Sequence, residues 1–166
     1  MDTRRLTKDA MLMSVALIIF VIEAQIPPLT SIPGVKLGLS NIVTVYAVFA
    51  LGPLDAACIL LGRILLGAAF SGGLSALMYS AAGGLMCLLC MLALKRVLSL
   101  RQIWAASVAG AMAHNLGQVS VAAAVTRTAA LWMQLPLLFV SGIIAGLFTG
   151  LCAQFLLARQ LKVNKS

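Results

Sequence analysis

The chain has 166 residues, 62% of them hydrophobic and 10% charged, with a formal net charge of +8. A soluble domain needs roughly 25% charged residues to cover its surface, which excludes a soluble globular protein. The apolar runs are continuous, which excludes an outer-membrane barrel, whose strands alternate apolar with polar.

In chain order the elements read as spans at about 9–26, 37–51, 54–70, 74–94, 102–125 and 133–157. Six helices of ~20 residues use ~120 positions and leave no room for a soluble catalytic domain. The expectation is an all-α polytopic membrane protein, one six-helix domain over residues 1–166. The first span follows Arg4, Arg5 and Lys8 and runs to Pro27-Pro28 without a small-x-small cleavage site, so it reads as a retained helix rather than a signal peptide. Gly52-Pro53 divides the second span from the third, with Pro placed to open a helix. Ser71-Gly72-Gly73 divides the third from the fourth, Lys95–Arg101 the fourth from the fifth, and the stretch around Arg127 the last two.

Six spans put both tails and the 95–101 loop on one side, with Arg4, Arg5, Lys8, Lys95, Arg96, Arg101, Arg159, Lys162 and Lys165. The other side has Lys36 and Arg127, while Arg63 falls inside a span. Cytoplasmic loops are enriched in Lys and Arg, so both termini are expected to be cytoplasmic and the protein to be multi-pass in a bacterial-type cell membrane. The same distribution removes nucleic acid as the reason for the positive charge.

Polar groups inside the spans are costly and mark candidate sites. Glu23 closes helix 1 on the outer side, and Lys36 enters helix 2, followed by Ser40, Asn41 and Thr44. Arg63 is near the midplane of helix 3, Tyr79 is in the outer part of helix 4, and His114, Asn115 and Gln118 are in the middle to outer part of helix 5. Arg63 either pairs with Glu23 or meets an anionic ligand group; Lys36, Arg127 and a protonated His114 would add positive charge there. Ser40 and Thr44 could instead bond to backbone carbonyls of their own helix, and His114, Asn115 and Gln118 could join helices. The candidate substrate-binding set is Glu23, Lys36, Asn41, Thr44, Arg63, Tyr79, His114, Asn115 and Gln118, in a pocket open to the outside. Asp55, two residues after Pro53, suits a helix N-terminus.

Gly142, Gly146 and Gly150 form a small-residue stripe, and Ser80–Gly84 gives helix 4 a point of close backbone approach. Cys87-x-x-Cys90 lies in an apolar stretch without further ligands and reads as packing, so no metal site is expected. The chain lacks a Walker loop, an acid cluster able to hold Mg²⁺, and any nucleophile–base set. Its acids are Asp2, Asp9, Glu23 and Asp55. No catalytic residue and no cofactor are expected; binding or transport with partners remains.

The ordered segments Ile32–Thr44, Gly62–Gly67, Ser80–Leu85, Ala113–Gln118, Leu135–Leu138 and Ser141–Ile143 resemble the Gx transporter family, often labelled heptaprenyl diphosphate synthase component I. The resemblance covers roughly residues 8–155. That family is similar to the S components of energy-coupling factor transporters, six-helix proteins that capture a vitamin-like substrate from outside. The resemblance implies a gating loop before helix 2. It also implies docking of helix 1 on a transmembrane T component driven by two ATPases, through an Ala-xxx-Ala pair that here is Ala10 and Ser14. The synthase label implies instead a partnership with a prenyltransferase subunit making a polyprenyl chain for menaquinone. A small, anionic, vitamin-like or isoprenoid-related substrate, with membrane lipid around the bundle, is the combined expectation.

Overall fold

The computed structural model describes residues 3–26, 38–71 and 73–163, and they are all-helical. The helices are α1 (Thr3–Glu23), α2 (Asn41–Ala50), α3 (Pro53–Ser71), α4 (Leu74–Lys95), α5 (Ile103–Thr126) and α6 (Leu135–Val163). Short 3₁₀ turns at Leu100–Gln102 and Ala129–Gln134 lead into α5 and α6.

Among the described residues three stretches are long and apolar enough to cross a membrane: Pro53–Phe70, Leu74–Lys95 and Ala129–Lys162. The protein is therefore a multi-pass membrane protein. The helices that fall short carry most of the buried polar groups. Every 18-residue stretch of α1 contains at least three of Arg4, Arg5, Lys8, Asp9 and Glu23. His114, Asn115 and Gln118 lower the hydropathy of α5. With ten residues, α2 is only ~15 Å long, about half a bilayer core.

That short helix occupies the middle of the molecule. It packs against α6, α3, α4 and α1 and touches α5, and Val43, Val45, Ala47 and Val48 enter the main core with Ile59, Leu60, Met91 and Ile103. Around it, α5 is sandwiched between α4 and α6, and α1 lies on α3. The α5–α6 seam uses the glycine stripe. A Cβ on Gly142 would stand 2.6 Å from Asn115 Nδ2, one on Gly146 2.7 Å from Val108 Cα, and one on Gly150 2.6 Å from Trp104 Cα. The stripe is internal packing, while Ile144, Phe148, Leu151 and Phe155 on the opposite side of α6 are exposed. The close approach expected at Ser80–Gly84 is also present: Gly83 meets α5, and Gly84 meets Leu60 and Ile64 of α3.

The helix ends differ from the expected spans for local reasons. Helix α1 begins at Thr3 instead of residue 9, with Thr7 Oγ1 donating to the Thr3 carbonyl at 2.9 Å. It ends at Glu23, where Gln25 and Ile26 donate to carbonyls three residues back and tighten the last turn ahead of two prolines. Helix α2 starts at Asn41 instead of 37, because Gly38 has φ +80°, outside the right-handed helical region. Helix α6 continues to Val163, beyond the expected 157. At its C-terminal end α2 is tied down twice: Lys95 Nζ donates to the Val48 carbonyl at 2.5 Å, and Tyr46 Oη to Gln160 Oε1 at 2.6 Å.

Candidate functional site

Four chain segments converge on one buried polar network. The Glu23 carboxylate at the end of α1 accepts from the backbone N–H of Gly38 and, at 3.4 Å, from that of Ser40. On α3, Arg63 Nη1 donates to Ser40 Oγ and Nη2 to Asn41 Oδ1 at 3.3 Å. Asn41 Nδ2 lies 3.3 Å from His114 Nδ1 on α5. Glu23, Ser40, Asn41, Arg63 and His114 are each at most 5% exposed. The network thus links α1, the entry to α2, α3 and α5.

Arg63 and Glu23 do not pair directly; Ser40 stands between them, holding the guanidinium with its hydroxyl and the carboxylate with its amide. Placing an unpaired charge in a low-dielectric interior is strongly unfavourable, so the separation is a constraint that the surrounding bonds must hold. Arg63 also fixes the amide of Asn41. Its Oδ1 receives Nη2 and its Nδ2 lies against His114 Nδ1, so the one amide bridges the guanidinium and the imidazole.

Several polar atoms in this region have no protein partner: Arg63 Nε, Thr44 Oγ1 and Gln118 Oε1. Thr44 is one turn from Asn41, and Gln118 one turn from His114, each on the same face. Gly83 of α4 makes room for this face of α5, since a Cβ there would come within 2.8 Å of Gln118 Cγ and 2.9 Å of His114 Nδ1. Gly38 does so from the loop side, at 2.9 Å from Asn41 Nδ2.

The other candidates lie elsewhere. Asn115 Nδ2 donates to the Leu138 carbonyl at 2.5 Å, joining α5 to α6. Tyr79 is buried in a second apolar cluster with Val119, Ala122 and Leu138, and makes no bond to the Arg63 network. Lys36 lies outside the described residues. Arg127 is exposed at the left-handed C-terminal cap of α5 and does not join the network. Ala10 and Ser14 are both exposed on α1, and Ser14 Oγ donates to the Ala10 carbonyl at 2.9 Å.

Ser40, Gly38 and Gly83 were not among the candidate residues. Ser40 was read as able to bond back to its own helix. It precedes the first helical residue of α2, has no helix-capping bond, and is free to face Arg63. The sequence signal available was its place next to Asn41, directly ahead of an apolar helix.

A second polar cluster lies at the other end of the α1–α3 pair. Arg5 Nε and Nη2 donate to the two Asp55 oxygens at 2.8 and 2.9 Å. Asp55 raises the pKa of the Arg5 guanidinium above its ordinary value, first through these hydrogen bonds and then through its charge. Asp9, also buried, leaves Oδ1 without a partner.

The family model for heptaprenyl diphosphate synthase component I matches residues 12–156. The chain belongs to that family. Comparison with curated proteins and with solved structures returns no match. The stretch matched to the heptaprenyl diphosphate synthase component I family contains the whole Arg63 network, while Arg5, Asp9 and Ala10 precede it.

Proposed function

We propose that this protein is a membrane subunit that captures a small molecule in an outward-facing pocket centred on Arg63, Asn41 and His114. What supports the reading most is the state of Arg63: fully buried, bridged to neutral Ser40 and Asn41, separated from its counter-charge, and left with an unpartnered Nε. Each unsatisfied buried polar group costs about 1–3 kcal/mol. A ligand offering an acceptor to Arg63 Nε and donors to Thr44 and Gln118 would recover that cost at several points together. Because Glu23 opposes Arg63, the pocket suits a ligand with an acidic or strongly accepting group plus donors, rather than a highly charged anion.

In this reading all six helices belong to a membrane bundle with both termini cytoplasmic. Half-exposed Trp104 lies in the first turn of α5, and half-exposed Trp132 in the 3₁₀ turn that follows its other end. Along the helix, Trp104 and Thr126 are ~33 Å apart, close to the ~30 Å hydrocarbon thickness. Interfacial tryptophans are enriched at those two levels. The protein works without a cofactor and is not itself an enzyme. By likeness to the S components, its exposed α1 face with Ala10 and Ser14 meets a T component served by an ATPase pair. The family description favours a second reading, a non-catalytic membrane subunit for a polyprenyl diphosphate synthase.

Native mass spectrometry of the purified protein tests the first reading. A small molecule should co-purify with the wild type and be lost from Arg63→Lys, which retains the charge but not the two-pronged bridge to Ser40 and Asn41. Undiminished retention in a folded Arg63→Lys protein would remove the site. Recovery of a soluble polyprenyl diphosphate synthase, without ATPases, on the tagged wild type would favour the second reading.

A further inference from the structure

Helices α1 and α6 flank α2 but leave between them an open groove of about 370 Å³. Its walls are Leu12, Val15 and Ile19 of α1, Ile42 and Val43 of α2, and Leu156 of α6; Tyr46 and Gln160, bonded to each other, supply its polar end. The volume falls in the range of small-molecule sites, ~300–1,000 Å³, yet the lining is almost wholly apolar and separate from the Arg63 network.

Charge is arranged along the groove in one direction. The polar pair Tyr46–Gln160 marks the end that faces the chain termini. Beyond it, Lys8 lies one turn before Leu12 on the same face of α1, and Arg159 sits three residues after Leu156 on α6; both are exposed. Among the described residues the acids of that end are turned away, on the α1–α3 side, where Asp55 is engaged by Arg5 and Asp9 is buried. An apolar channel that opens sideways and is capped at one end by two free cations matches an amphiphile with one apolar chain in the groove and an anionic head at the rim.

The geometry points to a bound anionic phospholipid of the cytoplasmic leaflet, with one acyl chain between α1, α2 and α6 and its phosphate between Lys8 and Arg159. This site is independent of the ligand pocket at Arg63. A basic side chain at a membrane surface favours an anionic lipid roughly fivefold, so the two together should select it strongly over a zwitterionic one.

The test uses the full chain in mixed micelles containing equal phosphatidylglycerol and phosphatidylcholine, read by native mass spectrometry. The wild type should retain phosphatidylglycerol. Lys8→Gln/Arg159→Gln should lose the preference while still binding either lipid, and Val15→Trp, which fills the groove from its open side, should lose both. Circular dichroism and the thermal midpoint identify a variant that has failed to fold; if one has, the other still decides. Equal retention of the two lipids by the wild type overturns the proposal. So does a preference that survives the double substitution, or displacement of the lipid by added farnesyl diphosphate, which would make a prenyl chain the occupant.

Discussion

The α1–α3 pair brings an arginine and a carboxylate together twice, once near the chain start and once where the end of α1 meets the middle of α3, and the two places treat them in opposite ways. Near the chain start, Arg5 reaches across to Asp55 in a direct two-pronged bridge, with the Arg5 side chain half exposed. At the far end both groups are buried, and Ser40 is interposed between Glu23 and Arg63. The first arrangement fastens two helices and leaves little chemistry unused. The second keeps a charge separation inside the protein and leaves a guanidinium nitrogen unspent. Direct pairing is simpler to build, and the interposed Ser40 is what sets the second arrangement apart.

The largest effect should follow removal of the buried cation. Arg63→Met leaves Glu23 as an uncompensated buried charge and should cost about 3–5 kcal/mol of stability, read as a shifted unfolding midpoint in detergent. Adding Glu23→Gln should restore part of the loss, with a coupling of about 0.5–3 kcal/mol despite the absence of a direct contact; strict additivity would show that the two charges do not sense each other.

Gly38→Ala should come next, at about 1–2 kcal/mol, because φ +80° is strained for any residue with a Cβ and the new methyl would crowd Asn41. Co-purified ligand should fall with it. Gly83→Ala presses on His114 and Gln118 from α4 and should cost about 1–3 kcal/mol, as overpacking does. Since it reaches the network without touching Arg63 or Glu23, ligand retention in that variant separates a binding role of His114 from a charge role of Arg63.

The smallest effect belongs to the exposed end. Arg5→Gln should lower the thermal midpoint by less than Arg63→Met does, and salt should reduce the difference from wild type, because the Arg5 side of this pair is half exposed and open to screening although Asp55 is buried. Asp55 raises the Arg5 pKa, so the contribution is present below the unfolded-state pKa and lost only as pH rises through the still higher folded value. The difference between wild type and Arg5→Gln should therefore persist unchanged from neutral into mildly alkaline solution.

Which residues are chemically expensive could be read from the chain alone. Glu23, Asn41, Arg63 and His114 are polar groups in apolar surroundings, and they converge. Which helix answers which could not. His114 and Asn115 are adjacent on α5, but the ~100° turn between them sends Asn115 to α6 while His114, with Gln118, faces Gly83. Tyr79 has the composition of a ligand contact but is buried in the cluster formed by α4, α5 and α6. Ser40 and Gly38 were hidden for a different reason: their roles depend on a tertiary partner from α1 and a left-handed φ, and neither leaves a period in the sequence. The glycine stripe of α6 announced close packing, yet only the fold shows that α5 receives it.

The fastening of α2 has a mechanical consequence. Lys95 and Gln160 grip the last turns of this ten-residue rod through a main-chain carbonyl and a phenol hydroxyl. Its first residues are held instead by Glu23 and Arg63, whose bonds run through one hydroxyl, one amide side chain and two backbone amides. A rod clamped at one end and latched at the other swings when the latch opens. Competition for Arg63 would act on the latch alone, so the displacement of α2 would grow from nothing at Val48 to its greatest at Asn41.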